Sequence, residues 1–325
     1  MSVVARTDPL PRTRRRIGSL LRVSGLVWAF LLLCMVASFL APSFLNYFNL
    51  INVVRQVALF GIVSIGLTFV ILTRGIDLSV GAIVGVVAVS TALMLVAGTP
   101  VWLTCGAAIL IGGALGALNG LGVVLGRMPA FVMTLGLMVM ARGLAMTLAE
   151  GQPVPLGPHA VGFAWLGGGS FMGAPVPVWV FGAVALVAFL VLRFTAFGRS
   201  VYAVGSNPEA ARLSGINVGL TLFSVYVISG VLSAVTGLIF VSRLTVGEPT
   251  AGTGLELEAI AIAVIGGTSL FGGEGGVVGT VIGAAILAVI ANLLNLTGVE
   301  PFTQQIIKGA IIIGAVLLEI LRPKR

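Results

Sequence analysis

The sequence predicts an all-α polytopic membrane protein, a transmembrane helical bundle of about ten helices. Hydrophobic residues make up 58% of the 325 positions and charged residues only 9%, whereas roughly 25% of the residues of an ordinary soluble domain are charged. Long apolar stretches separate the few charges, and many of them can cross a hydrocarbon core of about 30 Å. The chain therefore lacks the polar surface that a soluble protein of this length needs.

The charges also locate the helices in order, because an ionisable group costs about 2.5 to 3.5 kcal/mol at the centre of an inserted helix. The uncharged stretch 78–126 is too long for one helix and divides at the turn sequence 98–100 (Gly-Thr-Pro). The eighth helix is short and ends in a run of glycines, which indicates a broken or partly inserted segment. The predicted spans are 24–41, 57–73, two within 78–126, 130–149, 177–193, 220–241, 259–273, 276–298 and 304–321.

The basic residues predict the topology, since cytoplasmic segments of membrane proteins are enriched in Lys and Arg. We predict cytoplasmic N and C termini, with a basic tail at 1–23, one transmembrane domain at 24–321 and a second basic tail at 322–325. The net charge of +8 then reflects membrane orientation, and no nucleic-acid partner is expected. The inner segments, including a loop at 194–218, would hold 14 of the 18 basic residues: the six of the N-terminal tail, Arg74, Arg127, Arg193, Arg199, Arg212 and the three of the C-terminal tail.

Glycines recur every four residues within three predicted helices. Small residues at this spacing allow helix backbones to approach closely where lipid supplies no hydrophobic drive. Tight helix packing is favoured over a solute-lining role for these glycines. They are Gly81 and Gly85, then Gly112, Gly116 and Gly120, and finally Gly275, Gly279 and Gly283.

The predicted inner loop contains the signals of a short helix at about 208–214. Asn207 can cap it, Pro208 suits the first helical position, and Glu209 places an acid against the positive helix end. Gly215 then ends the helix. Taken alone, the segment is more simply interpreted as an ordinary connector between two spans.

The same segment carries a resemblance to a known family. Glu209, Ala210 and Ala211, followed by Gly215, resemble the Glu-Ala-Ala-x-x-x-Gly signature of binding-protein-dependent ABC permeases, and the surrounding residues resemble the ribose-type sugar permeases. Four further segments resemble that family: 75–81 (Gly-Ile-Asp-Leu-Ser-Val-Gly), 118–120 (Leu-Asn-Gly), 129–136 (Pro-Ala-Phe-Val-Met-Thr-Leu-Gly) and 265–273 (Ile-Gly-Gly-Thr-Ser-Leu-Phe-Gly-Gly).

The resemblance implies a multi-pass permease of the bacterial inner membrane that imports a monosaccharide or similar small polyol. It implies three protein partners: an ATP-binding cassette subunit, a periplasmic sugar-binding protein and a second permease chain, most simply an identical one. The cytoplasmic segment would dock on the ATPase and transmit its movement. The residues implied in this coupling are Gly198, Arg199, Asn207, Glu209, Ala210, Ala211 and Gly215.

The sequence independently lacks a nucleotide site. A phosphate-cradling loop needs Gly-x-x-x-x-Gly-Lys followed by Ser or Thr, but the two lysines of the chain precede Gly309 and Arg325. We therefore expect no cofactor and no enzymatic activity in this chain, with ATP and Mg²⁺ bound by the partner ATPase.

Polar residues in or beside apolar helices are candidates for the pathway or its gate. Asp77 and Ser79 could contact solute, or could simply cap a helix. Arg142 could bind a hydroxylated solute or extend to the outer interface, and Asn119 could line the path or bond to a neighbouring helix. The candidate set is Asp77, Ser79, Asn119, Arg142, Thr268 and Ser269.

Rival functions fit the sequence less well. An ion-coupled secondary transporter, the main alternative, predicts carboxylates inside the membrane, but Asp77 is the only acid between Asp8 and Glu150. A membrane enzyme would need a cluster of reactive groups, which one histidine and two cysteines in apolar runs do not supply. No ring of charges or carbonyl-rich filter motif suggests a channel.

Overall fold

The computed structural model describes residues 12–157, 160 and 162–320 and is built almost entirely of helices. Residues 1–11 of the predicted N-terminal tail and the predicted tail 322–325 lie outside this range. The helices are α1 (Arg12–Leu40), α2 (Tyr47–Leu72), α3 (Val80–Val96), α4 (Val101–Val124), α5 (Ala130–Leu148), α6 (Ala164–Gly168), α7 (Val176–Phe194), α8 (Ala196–Ser206), α9 (Pro208–Leu213), α10 (Val218–Leu244), α11 (Leu255–Ile265), α12 (Val277–Leu296) and α13 (Pro301–Ile320).

The structure confirms an all-α polytopic membrane protein. Within the described ranges, six helices are long and apolar enough to cross a membrane: α2, α4, α5, α7, α10 and α12. Two shorter apolar helices, Gly25–Leu40 within α1 and α3 at Val80–Val96, accompany them. Each span predicted from the sequence overlaps a helix of this fold.

Three helix boundaries differ from the sequence prediction. α1 begins at Arg12, so the second half of the predicted tail is helical. α2 begins at Tyr47 because the Asn46 side chain accepts a bond from Phe48 N and caps the helix, and Arg55 is accommodated inside it. The span predicted at 259–273 is wrong at its end, since α11 stops at Ile265 where Gly267 turns the chain at a φ of +84°.

The core of the bundle lies around α2, α3 and α10. α3 is buried along most of its length, and α2 and α10 are buried along about half of theirs. α4, α5 and α7 instead bury one stripe and expose large apolar side chains such as Trp102, Leu110 and Met140. Exposed apolar faces of this extent suit contact with lipid or with another chain.

Glycines bring α4 against α10. A Cβ added at Gly116 would lie 2.3 Å from the carbonyl oxygen of Tyr226, and one at Gly112 would lie 2.5 Å from that of Gly230. No side chain can give way at such a contact, because the opposing atoms are backbone. The interpretation of this glycine stripe as tight packing is confirmed.

The packing predictions for the other two groups of glycines are only partly confirmed. Gly279 and Gly283 pack closely on the backbone of α11, as predicted, and Gly81 and Gly85 face the segment 249–252. The predicted position of Gly275 on the same helix as Gly279 is wrong. α12 begins at Val277, and Gly275 lies in the preceding loop.

The connecting segments gather at two ends of the bundle. At one end, Gly273 N donates to Leu72 O and Tyr202 Oη donates to Gly275 O, which joins the segments after α2, around α8 and after α11. At the other end, β1 (Val154–Pro155) pairs antiparallel with β4 (Val246–Gly247). Nearby in sequence, β2 (Ser170–Phe171) pairs with β3 (Ala174–Pro175) in the segment between α5 and α7.

Candidate functional site

The predicted inner loop contains two helices, of which the sequence analysis found one. α8 begins where Thr195 Oγ1 accepts from Gly198 N, and its valines Val201 and Val204 are buried. Gly198 permits the sharp turn from α7, since a Cβ there would lie 2.4 Å from Val191 O. The spacing of the two valines was the available sequence signal, but it covers only one turn of helix. Arg199 is exposed on the other face of α8.

The predicted short helix is confirmed as α9, Pro208–Leu213. Asn207 is extended, and its side-chain oxygen accepts from the amides of Glu209 and Ala210, each at 3.0 Å. This is the arrangement of a helix N-cap. Gly215, at a φ of +82°, reverses the chain after the last turn.

α9 presents a small mixed surface away from the bundle. Glu209 and Arg212 pair at 2.7 Å, and their side chains are 64% and 69% exposed. Ala210 is exposed beside them, while Ala211 points inward and is buried. Leu213 is 80% exposed, and the sequence analysis did not single it out. An exposed leucine beside charged residues is suited to contact with a protein partner.

A second candidate region is a fully buried polar cluster, here called the Asp77 cluster and formed by Asp77, Ser79, Asn119 and Ser229. Asp77 Oδ1 accepts from Ser79 N at 2.9 Å and Ser79 Oγ at 2.6 Å, and Asp77 Oδ2 accepts from Ser229 Oγ at 2.8 Å. Asn119 Nδ2 donates to Ser79 Oγ at 2.8 Å and lies 3.4 Å from Asp77 Oδ1. The cluster ties the segment 73–79 and α3 to α4 and α10.

Of the two interpretations that the sequence left open for Asp77, the structure shows the helix cap, and the solute contact stays a prediction. The bond from Ser79 N makes Asp77 a local cap at the start of α3, whereas the bond from Ser229 reaches across to α10. Ser79 occupies the cap position, but its hydroxyl makes no capping bond. The sequence missed Ser229 because it lies 152 positions from Asp77 in the chain and resembles other helix serines.

Two buried oxygens next to this cluster have no partner within the described ranges. They are Asn119 Oδ1 and Tyr226 Oη. Tyr226 reaches the segment 73–79, since a Cβ added at Gly75 would lie 2.6 Å from its hydroxyl. Burying a polar atom without a hydrogen bond is costly. A water molecule or a solute hydroxyl could satisfy these two oxygens.

Arg142 lies apart from the Asp77 cluster. Its Nη1 donates to Pro249 O at 2.7 Å and Ala251 O at 3.0 Å, so the side chain is fixed across the bundle to the segment before α11. Beside it is an open groove of about 440 Å³. The groove is lined by Met138, Val139, Arg142, Gly143, Met146, Thr253 and Glu256. It offers donors, a carboxylate and apolar surface to a small polar solute.

Thr268 and Ser269 lie in the loop between α11 and α12. Thr268 is buried, and its hydroxyl has no partner in the described part of the chain. Ser269 N donates to Glu274 O, and Ser269 Oγ accepts from Phe271 N. Neither residue hydrogen-bonds to the Asp77 cluster, so the structure unites only Asp77, Ser79 and Asn119 among the six pathway candidates. A search of the described residues finds no group of His, Cys, Asp and Glu that could hold a metal ion.

Comparison with known proteins gives consistent relatives. Residues 49–316 match the family described as "Branched-chain amino acid transport system / permease component". The ribose import permease RbsC of Escherichia coli (strain K12) is 44% identical over 90% of this chain and 91% of its own length. RbsC of Bacillus subtilis (strain 168) is 42% identical over 97% and 98%, and the L-arabinose permease AraH of Azospirillum brasilense is 35% identical over 97% and 94%. No solved structure matches.

Proposed function

Because this chain belongs to the family of ribose-type ABC transporter permeases and is a multi-pass inner-membrane protein, we propose that it forms the translocation pathway of an ATP-driven monosaccharide importer. The relatives named for ribose and L-arabinose support a sugar of that size over an amino acid. Sugar selection would rest with a periplasmic binding protein. Hydrolysis of ATP, with its Mg²⁺, would take place on a separate ATP-binding cassette subunit.

Coupling to the ATPase is proposed for the segment from Gly198 to Gly215. The observation that carries this proposal is the exposed face of α9, where Glu209, Ala210, Arg212 and Leu213 combine charge with apolar surface. Asn207 and Gly215 fix the two ends of α9, and Ala211 packs inward. Gly198 sets the turn into α8, and Arg199 lies exposed on that helix, available to the same partner.

We propose about ten crossings with both termini in the cytoplasm. The two groups of connecting segments support this topology. The segments that meet at the Leu72–Gly273 bond are those predicted to be inside, and the β1–β4 pair joins segments predicted to be outside. α11 has 11 residues and spans only about 16 Å. The crossing that contains it must be completed by the irregular segment 266–276, in which Gly266 and Thr268 are buried while Phe271 and Glu274 are exposed.

The pathway itself is proposed to lie along the exposed groove beside Arg142, closed by a second, identical permease chain. The groove is open at the surface of a single chain, and α5 exposes apolar residues on the same side. The Asp77 cluster would act as a gate element that holds α3, α4 and α10 together. Thr268 and Ser269 would line the inner end of the route.

Reconstitution tests this function directly. Proteoliposomes containing the chain, its cognate ATP-binding subunit and its sugar-binding protein should accumulate radiolabelled ribose or arabinose only when ATP is present. The ATP must be on the side of the membrane where the ATPase subunit is bound. Omission of the ATPase or of the binding protein should abolish uptake. Sugar uptake by this chain alone, driven by a proton gradient, would instead establish a secondary transporter.

A further inference from the structure

We infer that Arg74 is a positioning residue that links α9 mechanically to the Asp77 cluster. The inference rests on the proposed coupling function and names the residue through which movement of α9 would enter the bundle. The contact region is formed by the backbone of 72–74, the end of α8 at 205–206 and the loop 272–275.

The guanidinium of Arg74 holds the end of α8. Its Nε donates to Gly205 O and its Nη2 to Ser206 O, both at 2.6 Å. Carbonyls at a helix C-terminus lack intrahelical partners and carry partial negative charge, so a cation with two fixed donors suits them. Ser206 is followed directly by Asn207, which caps α9. Arg74 thus fixes the junction between α8 and α9.

The backbone around Arg74 is closely packed. A Cβ added at Gly205 would lie only 1.8 Å from Leu72 O, and the same carbonyl accepts from Gly273 N at 2.9 Å. A Cβ added at Gly272 would lie 2.4 Å from Cγ of Arg74. Since backbone atoms oppose each other here, a shift of α8 must displace the end of α2 and the loop after α11.

From Arg74 the chain runs directly into the Asp77 cluster. Arg74 has a φ of +65°, a left-handed conformation that is uncommon in a non-glycine residue. The two residues that separate Arg74 from Asp77 also contact the bundle. Gly75 N donates to Val70 O, and Ile76 O lies 3.1 Å from Thr134 Oγ1, whose single proton is shared with Ala130 O at 2.9 Å. Displacement at α9 is therefore transmitted to α3, α4 and α10.

The test uses the complete transporter with three variants. Arg74→Gln removes the charge and the guanidinium that donates to two carbonyls. Arg74→Lys keeps the charge but offers a single donor group. Both keep a Cβ, so the left-handed backbone costs the same as in the wild type. The matched control is Arg127→Gln: Arg127 is exposed, also left-handed at a φ of +51°, and makes no hydrogen bond within the described ranges.

The decisive readout is the amount of sugar imported per ATP hydrolysed. We expect Arg74→Gln to lower this ratio at least about tenfold while the ATPase still co-purifies and hydrolyses ATP within about twofold of wild type. Arg74→Lys should recover part of the ratio, and Arg127→Gln should leave it unchanged. A residue that only stabilises the fold would lower assembly and leave the ratio intact.

Specific outcomes overturn the inference. An unchanged ratio in Arg74→Gln, or a loss equal to that of Arg127→Gln, removes Arg74 from coupling. Loss of ATPase binding in place of uncoupling would make it only a docking element. If Arg74→Gln fails to assemble, Arg74→Lys provides the test. A wild-type amount of sugar per ATP in Arg74→Lys would show that the two hydrogen bonds from Arg74 to Gly205 O and Ser206 O are not needed for coupling. Absence of ATP-driven uptake in the wild type would reject the proposed function instead.

Discussion

Replacing Asn207 with alanine should unwind α9 and uncouple transport. The side-chain oxygen of Asn207 accepts from two amides at the start of a helix of only six residues. Loss of such a cap costs about 1 kcal/mol. α9 has one buried side chain, Ala211, to oppose that loss. The ratio of folded to unwound α9 should therefore fall about fivefold.

Two measurements on the reconstituted transporter report this change. Hydrogen exchange at the amides of 209–214 should become about fivefold faster, because exchange follows the population of the open segment. ATP-driven sugar uptake should fall in parallel. Asn207→Asp should restore both, since aspartate is as effective a cap as asparagine.

Asn217→Ala provides a matched control for the same chemistry. Asn217 caps α10 by accepting from Leu220 N at 2.9 Å, but α10 has 27 residues and is packed in the core. Loss of that cap should leave α9 protected and uptake close to wild type. Equal loss of uptake in the two alanine variants would refute the reasoning, as would unchanged exchange in α9 of the Asn207 variant.

Three further pairs of substitutions test helix packing, the buried cluster and the ATPase contact. Gly116→Ala places a Cβ against the backbone of α10 and should lower stability in detergent by about 1 to 3 kcal/mol. Gly106→Ala, which meets nothing within 4 Å and lies in the same helix, should leave thermal stability unchanged or slightly raise it. Asp77→Ala leaves three buried donors unpaired and should lower the melting temperature strongly, while Asp77→Asn, which still accepts, should be milder. Glu209→Gln should weaken co-purification of the ATPase more than Arg212→Gln does, although both break the same exposed ion pair. Equal effects within any of these pairs would contradict the corresponding assignment.

Most of the fold could be predicted from the sequence because a bilayer permits few kinds of backbone structure. Apolar stretches between charges marked each span, and the glycine stripe around Gly116 predicted a close helix contact that the structure contains. Two errors lie at helix ends. Arg55 was taken as a boundary but lies inside α2, and α11 ends at Ile265, before the glycine run that was predicted to end it.

The candidate site was predictable only where its determinants are local. The cap at Asn207 and the stop at Gly215 act within one turn, so their pattern could be read directly. The partners of Asp77 come from α4 and α10, and the grip of Arg74 on α8 joins positions 131 and 132 residues apart. No periodicity encodes such contacts, since they depend on how helices pack.

The Asp77 cluster also bears on the energy source. An ion-coupled transporter needs an embedded carboxylate that gains and loses its ion or proton along the route. Both oxygens of Asp77 are instead occupied by side-chain donors from α3 and α10, and the residue is fully buried. A carboxylate held in this way ties the helices together, which favours the proposal that energy enters the bundle at the coupling segment and Arg74.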